Sequence, residues 1–141
     1  MLADISERCN TIEESYEFML AYAAQGLSTE GTSPSASRIR EFLNRAVNAI
    51  SGLKKSCAEA LSELGLEPRE RYEAFLAVVD RDARDSLAAI ELVLAQPSIG
   101  SQLIDNLNAS LHVRALLTDL FLLGDILSLH RSVSAESRTV G

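Results

Sequence analysis

The sequence contains no tryptophan and few other aromatic residues, which limits how its core can be built. Among 141 residues there are three Tyr and four Phe. A core without large aromatics depends on Leu, Ile, Val and Ala, and such side chains suit helices packed on helices. A domain of this length buries enough surface to fold without disulfides or a structural metal. We therefore expect a single domain with an aliphatic core.

Cysteine and basic residues are also scarce. Two cysteines are too few for the disulfide framework of a small secreted protein. The formal net charge is −7, with an isoelectric point near 4.8. Binding to nucleic acid or to an anionic membrane surface needs clustered Lys and Arg, so neither partner is expected.

The sequence shows neither a targeting signal nor a membrane span. The first ten residues, MLADISERCN, have no basic region followed by an apolar one, as a signal peptide requires. No run of 18 uncharged apolar residues occurs, because Asp119 and Asp125 interrupt the longest candidate. We expect a cytoplasmic protein.

Motifs of catalysis and metal binding are missing as well. There is no phosphate-binding glycine loop, nucleophile elbow or zinc-ligand spacing. His112 and His130 are the only histidines, and neither follows the Glu-x-x-His spacing of a di-iron bundle. His112 also lacks the Lys-Gly pair that follows the histidine of phosphotransfer bundles. We expect no enzymatic activity, no cofactor and no metal.

The chain does contain long apolar stripes with a period near 3.5 residues, which predict helices. Gly26 and Gly65 are expected to end helices, and Pro68 is expected in the first turn of the third. Ser35 or Ser37 is expected to cap the second helix. The predicted helices span about 4–25, 37–64, 68–95 and 101–131, in one domain of residues 1–131 followed by a flexible tail, 132–141.

Two of the three connections between these helices are short, so consecutive helices should be antiparallel. The first helix is mainly acidic and the second mainly basic, which favours their pairing. The predicted fold is therefore all-α, an up-down-up-down antiparallel four-helix bundle. The long connection, residues 26–38, is as compatible with a spacer as with a functional loop.

The two cysteines lie on the apolar stripes of the first two helices. Cys9 and Cys57 are predicted to be core residues, since a free cysteine behaves as a small hydrophobe. A redox or metal-binding pair is the alternative, and the sequence leaves open whether the two approach each other.

The fourth predicted helix contains two aspartates on different faces. At 100° per residue, Asp119 falls on a polar strip with His112 and His130, so we expect it to be exposed. Asp125 instead interrupts the apolar arc, together with Arg114. That arc covers about two-thirds of the helix circumference, more than the stripe of roughly 100° that a surface helix needs.

Such a wide apolar arc indicates that a second chain covers this helix, most simply in a two-fold homodimer. Antiparallel copies would bring Arg114 opposite Asp125 of the other chain. Partners for these two charges within the chain, such as Arg81, Arg84 or Asp82, are the alternative. The residues predicted for the interface are Arg114, Leu116, Phe121, Leu123, Asp125 and Ile126.

The functional hypothesis is a non-enzymatic helical-bundle protein acting through protein–protein interaction, as an adaptor, assembly factor or small regulator. Its expected partners are a second copy of the chain and another, unidentified protein. The alternative is a small-ligand-binding bundle with a cleft near Tyr16, Met19 and Tyr22, residues that at helical spacing also suit an ordinary core.

Overall fold

A computed structural model describes the backbone of residues 2–30, 34 and 36–140, and the side chains of these residues except 37 and 131–140. The described residues form six α-helices and one short 3₁₀ helix, with no strand, which confirms the all-α class. The 3₁₀ helix is Ala36–Arg38. The α-helices are α1 (Leu2–Ala24), α2 (Ile39–Ile50), α3 (Leu53–Leu64), α4 (Arg69–Leu94), α5 (Ser101–Ala109) and α6 (His112–Val140).

The second predicted helix, 37–64, is interrupted between α2 and α3. Gly52 has a φ of 83°, in the left-handed region that glycine adopts without steric cost. The Arg8 guanidinium donates hydrogen bonds to the backbone oxygens of Asn48, Ala49 and Ser51, at 3.3, 3.1 and 2.7 Å. These carbonyls have lost helical partners at the end of α2, and a cation is favourable there. The prediction of one continuous helix over 37–64 was therefore wrong. The chain breaks at Gly52, and Arg8 of α1 stabilises this break.

The fourth predicted helix, 101–131, is also interrupted. Leu111, between α5 and α6, has a φ of 66°, which is unusual for a residue with a side chain. The helix therefore ends at Ala109 and restarts at His112. With six α-helices in the described residues, a simple four-helix up-down topology is not confirmed.

Helices α1 and α4 each pack against the broken pairs α2–α3 and α5–α6. Helices α4 and α6 are antiparallel, because Tyr72 contacts His130 and Asp82 contacts Asp119. The fully buried side chains are almost all aliphatic, as the composition predicts. The largest are Tyr22, Ile12, Met19, Ile39, Leu43, Ile50, Leu53, Ile90, Ile99, Ile104, Leu116 and Leu123.

The segment after α1 is fixed to the connection between α4 and α5. The Leu27 N–H donates to Ser101 Oγ at 2.8 Å, and the Ser101 N–H donates to the Leu27 oxygen at the same distance. The Ser101 hydroxyl donates to the Tyr22 oxygen at 2.6 Å, and the Tyr22 hydroxyl donates to the Ile99 oxygen. The first residues of the long connection are thus firmly held.

The C-terminal limit of the last helix also differs from the prediction. The backbone of α6 continues to Val140, beyond the expected end near 131. The flexibility of 132–141 stays a prediction, and Gly141 lies outside the described residues, as does the proposed cap Ser35. Within the described part of the chain, no helix has the length and apolar content that crossing a membrane requires.

Candidate functional site

Among the side chains of α6 that the structure describes, three large apolar ones are exposed. The side chains of Phe121, Leu122 and Leu129 are 47, 50 and 66% exposed. Exposed apolar side chains that lie together on one helix can mark an interaction surface.

Charged residues lie on either side of this apolar surface. Arg114, Thr118, Phe121, Asp125 and Ser128 are all exposed and follow a spacing of 4-3-4-3, which places them on one face of α6. Among the side chains that the structure describes, neither Arg114 nor Asp125 has an ion-pair partner. We call this face, with Leu122 and Leu129, the α6 strip.

A groove of about 450 Å³ runs beside the α6 strip, between α6 and the N-terminal half of α1. A side chain at Gly124 would meet no atom within 4 Å, so the groove is open there. Its lining combines apolar side chains with polar ones, including the carboxylates of Glu13 and Asp125. The residues that line it are Leu2, Ile5, Ser6, Cys9, Asn10, Glu13, Leu120, Phe121, Gly124, Asp125, Leu127 and Ser128.

The residues predicted for an interface divide into two groups. Arg114, Phe121 and Asp125 are exposed on the α6 strip. Leu116 and Leu123 are fully buried in the core of the chain, so their assignment to a surface for a partner is corrected. The wide apolar arc does not by itself require a second chain, because α1, α4 and α5 of the same chain all contact α6.

Ile126 is half-buried and belongs to neither group.

The cleft predicted near Tyr16, Met19 and Tyr22 is not present at two of its three residues. Met19 and Tyr22 have no exposed surface, and the Tyr22 hydroxyl is used by the Ile99 oxygen. Tyr16 is half-buried and packs against the core. These side chains belong to the core, as the alternative interpretation of their helical spacing had it.

Asp119 was predicted to be exposed, and this prediction is wrong. Asp125 is exposed, whereas Asp119 is half-buried with its Oδ2 atom shielded from solvent. Burial, followed by the hydrogen bond and the negative charge of Asp82, raises the pKa of Asp119 to about 7. The helical wheel placed Asp119 on its strip correctly, but it did not show that α4 covers that strip.

Both cysteines are free thiols, and only one is inaccessible. Cys57 is buried, which confirms its predicted place in the core, while Cys9 is half-buried and lines the groove. Burial and, to a smaller extent, the charge of Cys9 raise the pKa of Cys57 to about 11. Burial also raises the pKa of Cys9. Since the thiolate is the reactive form, both are poor nucleophiles in this conformation.

The described side chains contain no group of three or more His, Cys, Asp or Glu arranged to hold a metal ion. Comparison of the chain with protein-family models, curated proteins and solved structures gives no match. The site with the most distinctive chemistry is therefore the α6 strip with its adjoining groove.

Proposed function

We propose that this chain is a non-enzymatic protein that acts through protein–protein contact, and that the α6 strip joins two copies in a homodimer. The single observation that supports this most directly is the set of exposed apolar side chains Phe121, Leu122 and Leu129, beside Arg114 and Asp125, which have no ion-pair partner among the described side chains. Burying these side chains against a second protein would remove apolar surface from water and give both charges a partner.

The charges favour a second copy of this chain as the occupant. Arg114 and Asp125 are eleven residues apart, or about 16 Å along the helix. If two copies of α6 cross antiparallel about a two-fold axis between residues 119 and 120, each Arg114 lies opposite Asp125 of the second copy. Thr118 then faces Phe121 of the second copy near the axis. The strip is self-complementary, as a two-fold interface requires.

We extend this proposal to the topology of the helices and to the cellular compartment of the protein. The contacts of α1 and α4 with both broken pairs support an up-down bundle of four rods, in which α2–α3 and α5–α6 each form one interrupted rod. Two free cysteines suit a reducing cytoplasm. An adaptor, assembly factor or small regulator would use the same architecture, with other surfaces for a further protein.

The substitution Phe121→Glu tests the dimer. It places a charge at the centre of the strip, so the mass in solution should fall from twice the 15.3 kDa chain mass to the chain mass at micromolar concentration. Light scattering coupled to size exclusion measures this, and circular dichroism verifies that the helices persist. Leu92→Glu is the matched control, because Leu92 is 67% exposed on α4 and should leave the dimer intact. A wild-type monomer at these concentrations contradicts the proposal.

Charge exchange tests the antiparallel register. Arg114→Asp and Asp125→Arg should each weaken the dimer, because like charges then face each other across the axis. The double variant restores opposite charges and should recover most of the wild-type affinity. Single variants that dimerise like the wild type would show that the two charges do not meet.

The open groove supports a second candidate, the binding of a small apolar ligand between α1 and α6. Apolar side chains of both helices contribute to its lining, and its volume falls in the range of small-molecule sites. Gly124→Leu should fill it and abolish any thermal stabilisation by apolar compounds. A ligand screen without a stabilising compound for the wild type would remove this candidate.

A further inference from the structure

Asp82 of α4 and Asp119 of α6 face each other where the two helices pack. Both side chains are half-buried, and their carboxyl groups are within hydrogen-bond reach. Two ionised carboxylates at this separation repel each other and offer no donor between them. The contact becomes favourable only when one of the two carries a proton.

The buried oxygen of Asp119 finds no hydrogen-bond donor among the described residues. Its Oδ2 atom is shielded from solvent and accepts no hydrogen bond from an N–H or O–H group of these residues. Ser86, one turn beyond Asp82 on α4, is also buried, and its hydroxyl has no hydrogen-bond partner within the described part of the chain. A buried polar oxygen without a donor is costly, and a shared proton removes that cost.

Other charges near this contact do not replace the proton. Among the causes that raise the pKa of Asp119, burial comes first and Asp82 supplies the rest. Arg81 and Asp85, beside Asp82 in the sequence, are exposed. Other titratable groups lie on α6 and on the helices that pack against α4 and α6. They include His112 and Asp125 on α6, Glu13 on α1, Asp105 on α5, Arg45 on α2 and Lys54 on α3.

We propose that Asp82 and Asp119 share a single proton across the α4–α6 contact, and that losing this proton loosens α6 from α4. The protonated carboxyl donates to its ionised neighbour, so one negative charge remains. When the proton leaves to water or to a buffer base, two negative charges face each other. This pair makes the packing of α6 sensitive to pH, independently of whether α6 also joins two copies of the chain.

The direction of the pH effect follows from the raised pKa. Asp119 takes up its proton more readily in the folded chain, where its pKa is about 7, than in the unfolded chain, where it is near 3.8. The stabilisation from this proton is fully present below the unfolded pKa and is lost as the pH rises through the folded pKa. Stability should therefore decline between about pH 4 and pH 7.

Asp119→Asn tests the pair. The introduced amide donates to Asp82 at every pH, so the variant should lose the pH-dependent loosening. We expect the unfolding equilibrium constant of the wild type to rise about tenfold or more between pH 5 and pH 8, relative to that of the variant. Amide hydrogen exchange in α6, compared at equal pH, should be faster in the wild type than in the variant at pH 8. Glu91→Gln is the matched control: it removes an exposed carboxylate of α4 that lies outside the α6 strip and the groove, and it should behave as the wild type.

Two further measurements keep the outcome decisive. Histidine side chains commonly titrate in this pH range, so a pH effect that persists in Asp119→Asn and disappears in His112→Gln would overturn the proposal. If Asp119→Asn does not fold, the ¹³C shifts of the carboxyl carbons in the wild type give the answer. One carboxyl of the pair should titrate near neutral pH, and titration of both below pH 5 would also overturn it.

Discussion

Gly100 and Gly124 differ in what a side chain would meet at each position. A Cβ atom at Gly100 would lie 2.8 Å from the backbone oxygen of Ser28 and 3.0 Å from that of Leu27. Neither oxygen belongs to a flexible side chain, and the Leu27 oxygen accepts the Ser101 N–H. The close approach of these two backbone segments therefore depends on glycine at position 100.

Gly100→Ala should lower the free energy of unfolding by about 1–3 kcal/mol, the usual cost of inserting atoms into a packed region. Gly124→Ala is the matched control, because position 124 is helical and open, and it should raise the free energy by about 0.5–1 kcal/mol. Chemical denaturation followed by circular dichroism measures both. If both alanines shift stability in the same direction, the close approach at position 100 does not limit the fold.

Two arginines bind the carbonyl groups at the C-terminal ends of other helices. Arg8 binds three carbonyls at the end of α2. Arg40 donates to the oxygens of Leu94 and Gln96 at the end of α4, at 2.9 and 2.7 Å. Each guanidinium comes from a different helix, so these caps also join α1 to α2 and α2 to α4. Charged donors to helix carbonyls are stronger than neutral ones.

At the scale of the elements, the break between α5 and α6 is built on an unfavourable residue. Leu111 is 54% exposed, so it gains little from burial, and its positive φ places its Cβ close to backbone atoms. On either side of the break, α5 packs mainly on α1 and α6 packs mainly on α4. Leu111 therefore costs stability where a glycine would not.

Leu111→Gly should raise the free energy of unfolding by about 1 kcal/mol, because glycine adopts this backbone conformation without strain. The same change within a regular helix should have the opposite sign. Leu92→Gly provides that comparison, since Leu92 is also exposed and should cost about 1 kcal/mol in α4. Thermal and chemical denaturation of both variants decide this, and a loss of stability for Leu111→Gly would show that the leucine side chain supports the break.

The sequence allowed the helices to be located but not their interruptions. Apolar stripes with a helical period are local features, and they correctly predicted that α1, α4 and most of the remaining helical residues are helical. The break at Gly52 depends on Arg8, more than forty residues away in the chain. Likewise, the burial of Asp119 depends on Asp82 and on how α4 docks against α6. Contacts between distant elements carry this information, and a periodic pattern does not contain it.

At the scale of the whole molecule, two carboxyl groups respond to pH in opposite directions. Glu30 accepts hydrogen bonds from Arg40, the shortest at 2.7 Å, and from the Ile99 N–H at 3.0 Å. The Arg40 hydrogen bonds and charge, together with the Ile99 N–H, hold the pKa of Glu30 below its ordinary value of 4.5, although partial burial opposes this. The stabilisation that ionised Glu30 gives the fold is present above the unfolded pKa of this carboxyl and is lost as the pH falls through its folded pKa. Because the Asp119 contribution declines from about pH 4 upwards, stability should be greatest near pH 4.

Glu30→Gln tests the acidic side of this profile. Glu30 joins the segment after α1, the start of α2 and the connection between α4 and α5, so its protonation weakens three parts of the molecule together. The melting temperature of the variant should lie below that of the wild type at pH 6, and the difference should shrink as the pH falls below 4.5 and the wild-type carboxyl takes up a proton. Glu41→Gln is the matched control: Glu41 pairs with Arg45 at 2.6 Å on the surface, and such a pair contributes only about 0–1 kcal/mol. A difference for Glu30→Gln that stays constant from pH 3 to pH 6 would mean that shape, and not charge, holds these three segments together.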